Sequence, residues 1–293
     1  MTTPSHRVRA FAAGAVLLWA YAGATAGAGQ NQVPRQSTPS PGYFESDGLK
    51  IHFESFGAGP PIVFVPGWGS GNQRSWIAPG WVDALKARHR VILLEPRGVG
   101  KSEKPHDARA YSYSVMSRDV LALLDHLRIA RADYVGYSMG AFMGAYLLGN
   151  HADRFHSMVL GGIGDETEES KSARYAIADA LRAAPGVITS PLGAAYRAYA
   201  SSDPDNDLEA LAVSALQMWP EGYPRQLGGS GLRRVRIPVL IVNGANDHPY
   251  IDSVGAFVDM IPGARLVTIP GANHLSTMFD LHFRQEAVAF LDR

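Results

Sequence analysis

Ser138 sits at the centre of Gly136-Tyr137-Ser138-Met139-Gly140, a G-x-S-x-G pattern. Residues 132–135 before it are strand-like, and residues 139–150 after it are helix-like. A tight strand-to-helix turn of this kind lifts a serine hydroxyl above the end of a sheet as a nucleophile. Glycines flank it because a larger side chain would collide with neighbouring backbone. A serine hydroxyl is a weak nucleophile at neutral pH, so it needs a base within hydrogen-bond reach and a carboxylate to orient that base. Asp247 follows the strand-like run 239–243, and His274 follows the run 266–269. Both stand just past the C-terminal end of a strand, where open α/β sheets gather their sites. His248 is the rival base, although it abuts Asp247. Asp165, beyond the run 157–160, is the alternative acid. The chemistry this set implies is acyl transfer, with Ser138 as nucleophile, His274 as base and Asp247 as acid.

A tetrahedral acyl intermediate also needs donors for its oxyanion. The backbone N–H of Met139, next to the nucleophile and at a helix start, is one candidate. The other is the backbone of Trp68, within the Gly-rich loop Pro66-Gly67-Trp68-Gly69-Ser70-Gly71 that follows the run 62–65. Tyr137, Trp68 and Met139 border the serine and hint at an apolar substrate face.

These residues must be positioned by elements legible from pattern. Strand-like runs fall at 43–46, 49–56, 62–65, 91–94, 132–135, 157–160, 239–243 and 266–269. The first two are joined by the turn Asp47-Gly48, a hairpin signal. Helical spacing marks 115–127, 139–150, 254–261 and 283–291, and the segment 76–87 reads as loop then helix. Strands alternating with helices predict an α/β fold: a mostly parallel sheet with helices on both faces. Between about 165 and 234 the rhythm breaks into an Ala-rich, charged, strand-poor block, punctuated by Pro185, Pro191, Pro204, Pro220 and Pro224. It predicts a small helical cap inserted after the sixth strand.

The chain has 293 residues, 46% hydrophobic and 18% charged, with 27 basic and 27 acidic side chains. That suits one α/β domain with an insertion and argues against bulk disorder. A balanced charge gives no reason to expect a nucleic-acid partner. With no cysteine, disulfides and thiolate nucleophiles are excluded. The histidines form no H-E-x-x-H pattern and the glycines at 67–71 lack G-x-G-x-x-G spacing, so neither a metal nor a nucleotide cofactor is expected.

The serine, acid and histidine occur in the order found in α/β-hydrolases. The segment Glu95-Pro96-Arg97-Gly98-Val99-Gly100-Lys101-Ser102 resembles that superfamily's D-x-R-G-x-G-x-S loop. From about residue 43 to the C-terminus the chain resembles its small, capped, cofactor-free bacterial branch: carboxylesterases, enol-lactonases and haloperoxidase-like perhydrolases. Two positions depart from the pattern. Pro66 stands where the oxyanion loop usually has His, and Glu95 where the strand-end loop usually has Asp. Serine at 138 favours an acyl-enzyme over the alkyl-enzyme of relatives with aspartate there. The resemblance implies a serine hydrolase acting on small-molecule carboxylic esters or lactones. C–C bond hydrolysis, amide hydrolysis and perhydrolysis use the same triad. A non-catalytic binding protein on this fold would show an eroded triad, and none is seen.

The first residues suggest a location. His6, Arg7 and Arg9 precede an apolar segment at 10–21, and A-x-A sites follow at 24–26 and 26–28. That layout predicts a cleavable signal peptide at 1–26, hence a periplasmic or secreted protein without stable membrane insertion after cleavage. An uncleaved anchor is the alternative, although the apolar core is short for a span of about 20 residues. Residues 27–42, rich in Pro, Gln and Ser, read as a disordered linker ahead of a hydrolase domain at 43–293.

Overall fold

Four-residue runs of Ile, Val, Leu and Phe with no polar alternation predict strands covered on both faces. A computed structural model of the chain, describing residues 40–165, 168–187, 190–218 and 224–293, places those runs at the centre of an eight-stranded sheet. The strands are β1 (Ser40–Ser46), β2 (Leu49–Phe56), β3 (Pro61–Val65), β4 (Arg90–Glu95), β5 (Ala132–Tyr137), β6 (Phe155–Gly161), β7 (Val239–Gly244) and β8 (Arg265–Ile269). Their spatial order is β1-β2-β4-β3-β5-β6-β7-β8. β1, β2 and β4 pair antiparallel, and every pairing from β4 across to β8 is parallel. The expected signal peptide and most of the expected linker lie outside the described residues.

The helices are α1 (Trp81–Leu85), α2 (Tyr113–His126), α3 (Met139–Asn150), α4 (Glu168–Arg182), α5 (Pro191–Ser201), α6 (Leu208–Gln217), α7 (Pro224–Gly228), α8 (Tyr250–Val258), α9 (His274–Phe279) and α10 (Leu281–Leu291). Side chains alternate across each strand, so Val63 and Val65 enter one apolar cluster while Ile62 and Phe64 enter another. α2, α3 and α8 cover the first with residues such as Val120, Phe142 and Phe257. α1 and α10 cover the second with Trp81, Leu85, Phe283 and Phe290. This is the expected α/β architecture with helices on both faces.

The segment between β6 and β7 is helical, α4 to α7, with an apolar cluster of its own formed by Ile177, Ala178, Leu181, Ala200, Leu211 and Ala212. Two prolines read as punctuation turn out to begin helices. Pro191 is the first residue of α5, where the Ser190 side chain caps the Gly193 amide at 3.0 Å, and Pro224 opens α7. Proline lacks the N–H that a first helical turn would leave unpaired, so it favours these positions. Among the described residues no helix is long and apolar enough to cross a membrane.

The strand order reverses around β3. The chain leaves β4 on one side of β3 and reaches β5 on the other. Such a switch point opens a crevice at the C-terminal strand ends. Here it sets the loop after β3 beside the turn after β5.

Candidate active site

The turn from β5 into α3 holds Ser138 at φ 50°, ψ −116°, a region non-glycine residues rarely occupy. The surroundings impose it. The Ser138 amide donates to the Gly161 carbonyl of β6 at 2.8 Å, and the Gly140 amide donates to the Pro66 carbonyl at 3.2 Å. The flanking glycines follow from crowding. A Cβ on Gly140 would lie 2.2 Å from the Val65 carbonyl oxygen, and one on Gly136 would lie 2.4 Å from the Gly140 carbonyl oxygen.

Two further loops converge on Ser138. The loop after β7 carries Asp247 and the loop after β8 carries His274. They are stitched together by Ala245 N–H donating to Ile269 O at 2.9 Å and Asn246 N–H donating to Ala272 O at 2.8 Å. Asn273 and Ser276 form a reciprocal cap at the start of α9, which makes His274 the first helical residue. α9 is not among the helices read from pattern, because Asn-x-x-Ser departs from the usual Ser/Thr-x-x-Glu/Gln capping signature.

The structure brings Ser138, His274 and Asp247 together. His274 Nδ1 lies 3.0 and 3.1 Å from the two Asp247 carboxylate oxygens, and His274 Nε2 lies 3.0 Å from Ser138 Oγ. A carboxylate offers only lone pairs, so Nδ1 carries the proton that Asp247 accepts. With the proton on Nδ1, the lone pair of Nε2 faces the Ser138 hydroxyl and accepts from it. Asp247 is 1% exposed, so its attraction for the ring is little weakened by water. The two alternatives are occupied elsewhere. His248 pairs with Asp252 at 2.7 Å on the exposed side of α8, and Asp165 pairs with Arg225 of α7.

Tyr137 does not line a substrate face. It is 2% exposed, lies in the cluster beneath α10, and its hydroxyl donates to the His274 carbonyl. Burial, reinforced by the Asp247 charge, pushes its phenol far above the ordinary tyrosine range, so it remains a neutral donor. Tyr250 of α8 sets its ring 5.1 Å from the His274 ring. Neither role has a local signature, because both join segments distant in sequence. The Met139 side chain is buried too, while Trp68 is part-exposed.

The oxyanion candidates belong to the two segments next to the serine. Met139 N–H heads α3 beside Ser138, and Gly67 lies close enough that a Cβ on it would be 3.5 Å from Ser138 Cβ. Among the described residues neither the Met139 nor the Trp68 amide donates to a backbone acceptor outside regular elements. Pro66 keeps the loop attached through its carbonyl, which needs no N–H of its own. Glu95 fastens the far end. Its carboxylate accepts the Asn72 amide at 2.8 Å, the Lys101 amide at 2.8 Å and His52 Nδ1 at 2.9 Å. Burial works against its charge, yet these hydrogen bonds outweigh it and hold its carboxyl below the usual range. Arg97 of the same segment is buried against Asp119 at 2.6 Å.

The chain matches known proteins in sequence and fold. Over residues 60–182 the chain matches the family described as alpha/beta hydrolase fold. It is 30% identical over 250 residues to BpoC of Mycobacterium tuberculosis, a protein named provisionally as a non-heme bromoperoxidase, covering 78% of this chain and 91% of that one. The chain belongs to the α/β-hydrolase superfamily. Within it, 3-oxoadipate enol-lactonase 2 of Acinetobacter baylyi is 28% identical over 211 residues, covering 68% of this chain and 76% of the relative. The crystal structure of the enol-lactonase from Burkholderia xenovorans superposes with a TM-score of 0.68 at 27% identity, covering 86% of this chain and all of that one, 100%. A hydrolase role is thereby supported for this α/β-hydrolase.

Proposed function

We propose that this α/β-hydrolase cleaves carboxylic esters or lactones through an acyl-enzyme on Ser138. The observation that carries the reading is the 3.0 Å contact between His274 Nε2 and Ser138 Oγ, with Asp247 on the opposite ring nitrogen. The Ser138 proton passes to Nε2 as Oγ bonds to the carbonyl carbon. The carbonyl oxygen becomes an oxyanion between the amides of Met139 and Trp68, a contact in which each donor is worth about 2.7–4 kcal/mol. The intermediate collapses, and His274 returns the proton to the departing alcohol oxygen, which in a lactone stays tethered to the acyl group. Water, deprotonated by His274, then attacks the acyl carbon. Ser138 regains its proton as the carboxylic acid leaves. Asp247 holds the imidazole and stabilises its transient positive charge.

The test is labelling by a fluorophosphonate and turnover of nitrophenyl esters of graded chain length, each beside Ser138→Ala. Labelling and turnover in the wild type, both lost in the variant, are expected. An inert wild type rejects the reading, and an equally active variant rejects Ser138 as nucleophile.

The name of the 30% identical relative favours a second reading, perhydrolysis. Here hydrogen peroxide replaces water at the acyl-enzyme, so the products are a peracid and free Ser138. Peracid formation from an ester plus hydrogen peroxide separates the two. Export with removal of residues 1–26 is proposed from the sequence alone. N-terminal sequencing of exported protein tests it, and an intact Met1 rejects it.

A further inference from the structure

The loop after β3 is held by two different bodies. Its ends are tied to α3 and β4: Pro66 O accepts from Gly140 N–H of α3 at 3.2 Å, and Asn72 N–H donates to Glu95 of β4 at 2.8 Å. Its middle belongs to the helical segment between β6 and β7. The Trp68 indole Nε1–H donates to Ser214 Oγ of α6 at 3.0 Å. The Gly69 carbonyl accepts from the Asn206 side chain at 3.0 Å, and the Gly71 amide donates to Asp203 at 3.3 Å. These acceptors and donors are themselves fixed. Ser214 is 3% exposed and its hydroxyl donates to Leu211 O at 2.9 Å, which leaves a lone pair for the indole. Asn206 also donates to Ala200 O at 2.9 Å, so one amide group ties the loop to the end of α5. Next to the loop, Arg74 donates to Ser202 at 2.7 Å and lies 4.0 Å above the Tyr199 ring.

We infer that Ser214 and Asn206 are positioning residues for the oxyanion site: the α5–α6 part of the cap sets where the Trp68 amide points. The inference rests on the acyl-enzyme reading above and deepens it. Because the indole and the amide belong to one residue, a shift of α6 turns the donor away from the intermediate. On this inference the α5–α6 helices help complete the site that stabilises the transition state. A displacement of about 1 Å in a catalytic contact costs up to about 10²-fold in rate.

The experiment uses the full chain with nitrophenyl esters and with a trifluoromethyl ketone, whose serine adduct carries an oxyanion. Ser214→Ala is expected to lower kcat about tenfold and to weaken the ketone by the same factor, with KM within about twofold, since the interaction exists only in the transition state. Asn206→Ala, at a part-exposed site, repeats the readout through an independent tether if Ser214→Ala does not fold. Ser214→Thr, which keeps the hydroxyl, is expected to recover most of the loss. Raised KM with unchanged kcat and ketone affinity overturns the inference, because the cap would then bind substrate only. Unaffected variants of an active wild type overturn it alone. A wild type that neither labels at Ser138 nor turns over esters overturns the acyl-enzyme reading with it.

Discussion

The Gly140 amide donates to the Pro66 carbonyl at 3.2 Å, so the first turn of α3 is fastened to the loop after β3. One hydrogen bond therefore sets the distance between the serine turn and the loop proposed to supply the second oxyanion donor. It uses the carbonyl of residue 66, which proline retains. The His-to-Pro departure seen in the sequence leaves this link intact.

Gly140→Ala tests that link. Its new Cβ would meet the Val65 carbonyl oxygen at 2.2 Å and the Pro66 carbonyl oxygen at 3.0 Å. Backbone cannot yield as a side chain does, so denaturant unfolding is expected to show a loss of about 1–3 kcal/mol. Ester turnover is expected to fall about tenfold or more as the serine turn and the loop part. Gly255→Ala on α8 is the contrast. A Cβ there meets nothing within 4 Å, and stability is expected to rise by about 0.4–1 kcal/mol.

The two aspartates at strand ends give opposite outcomes. Asp247→Asn leaves a group that no longer fixes the Nδ1–H tautomer of His274, and kcat for nitrophenyl esters is expected to drop by about 10⁴-fold with little change in melting temperature. Asp165→Asn weakens the part-buried pair with Arg225. That change is expected to cost about 1–2 kcal/mol of stability while kcat stays within about threefold. Equal kcat losses in both variants would contradict the assignment of Asp247.

Stability in acid follows from Glu95. Its ordinary value is 4.5, and in the fold it lies lower: burial raises it, but hydrogen bonds from His52, Lys101 and Asn72 more than compensate. As pH falls the unfolded chain takes up this proton first. The stabilisation is thus complete above about pH 4.5 and is lost as pH drops through the folded value. Asp47, lowered from 3.8 by Arg97 and Arg118 against its burial, acts in the same direction further into acid. Denaturation midpoints are expected to fall below about pH 5, and Glu95→Gln to flatten that limb while lowering stability near neutrality. An unchanged acid limb in the variant would remove Glu95 from the account.

Much of the fold is local information. Residues 62–65 and 91–94 are apolar throughout because strands covered on both faces admit nothing else, and each lies inside an observed strand. The serine turn is legible because only glycines fit beside it. α5 was not legible, since Pro191 reads as a break until Ser190 is seen to cap it. α9 was missed because six residues give too little periodicity.

The sequence by itself determined which residues could do chemistry: a serine between glycines, and an acid and a histidine each just past a strand. Strand order and side-chain type suffice for that, because parallel strands deliver their C-terminal ends to one edge. Only the tertiary structure set Asp247 rather than Asp165 against the His274 ring, sent Tyr137 inward to hold the His274 carbonyl, and hung the Trp68 loop from Ser214. Those are contacts between segments far apart in the chain. Their partners are chosen by how loops and helices stack above the sheet, which no local pattern of residues encodes.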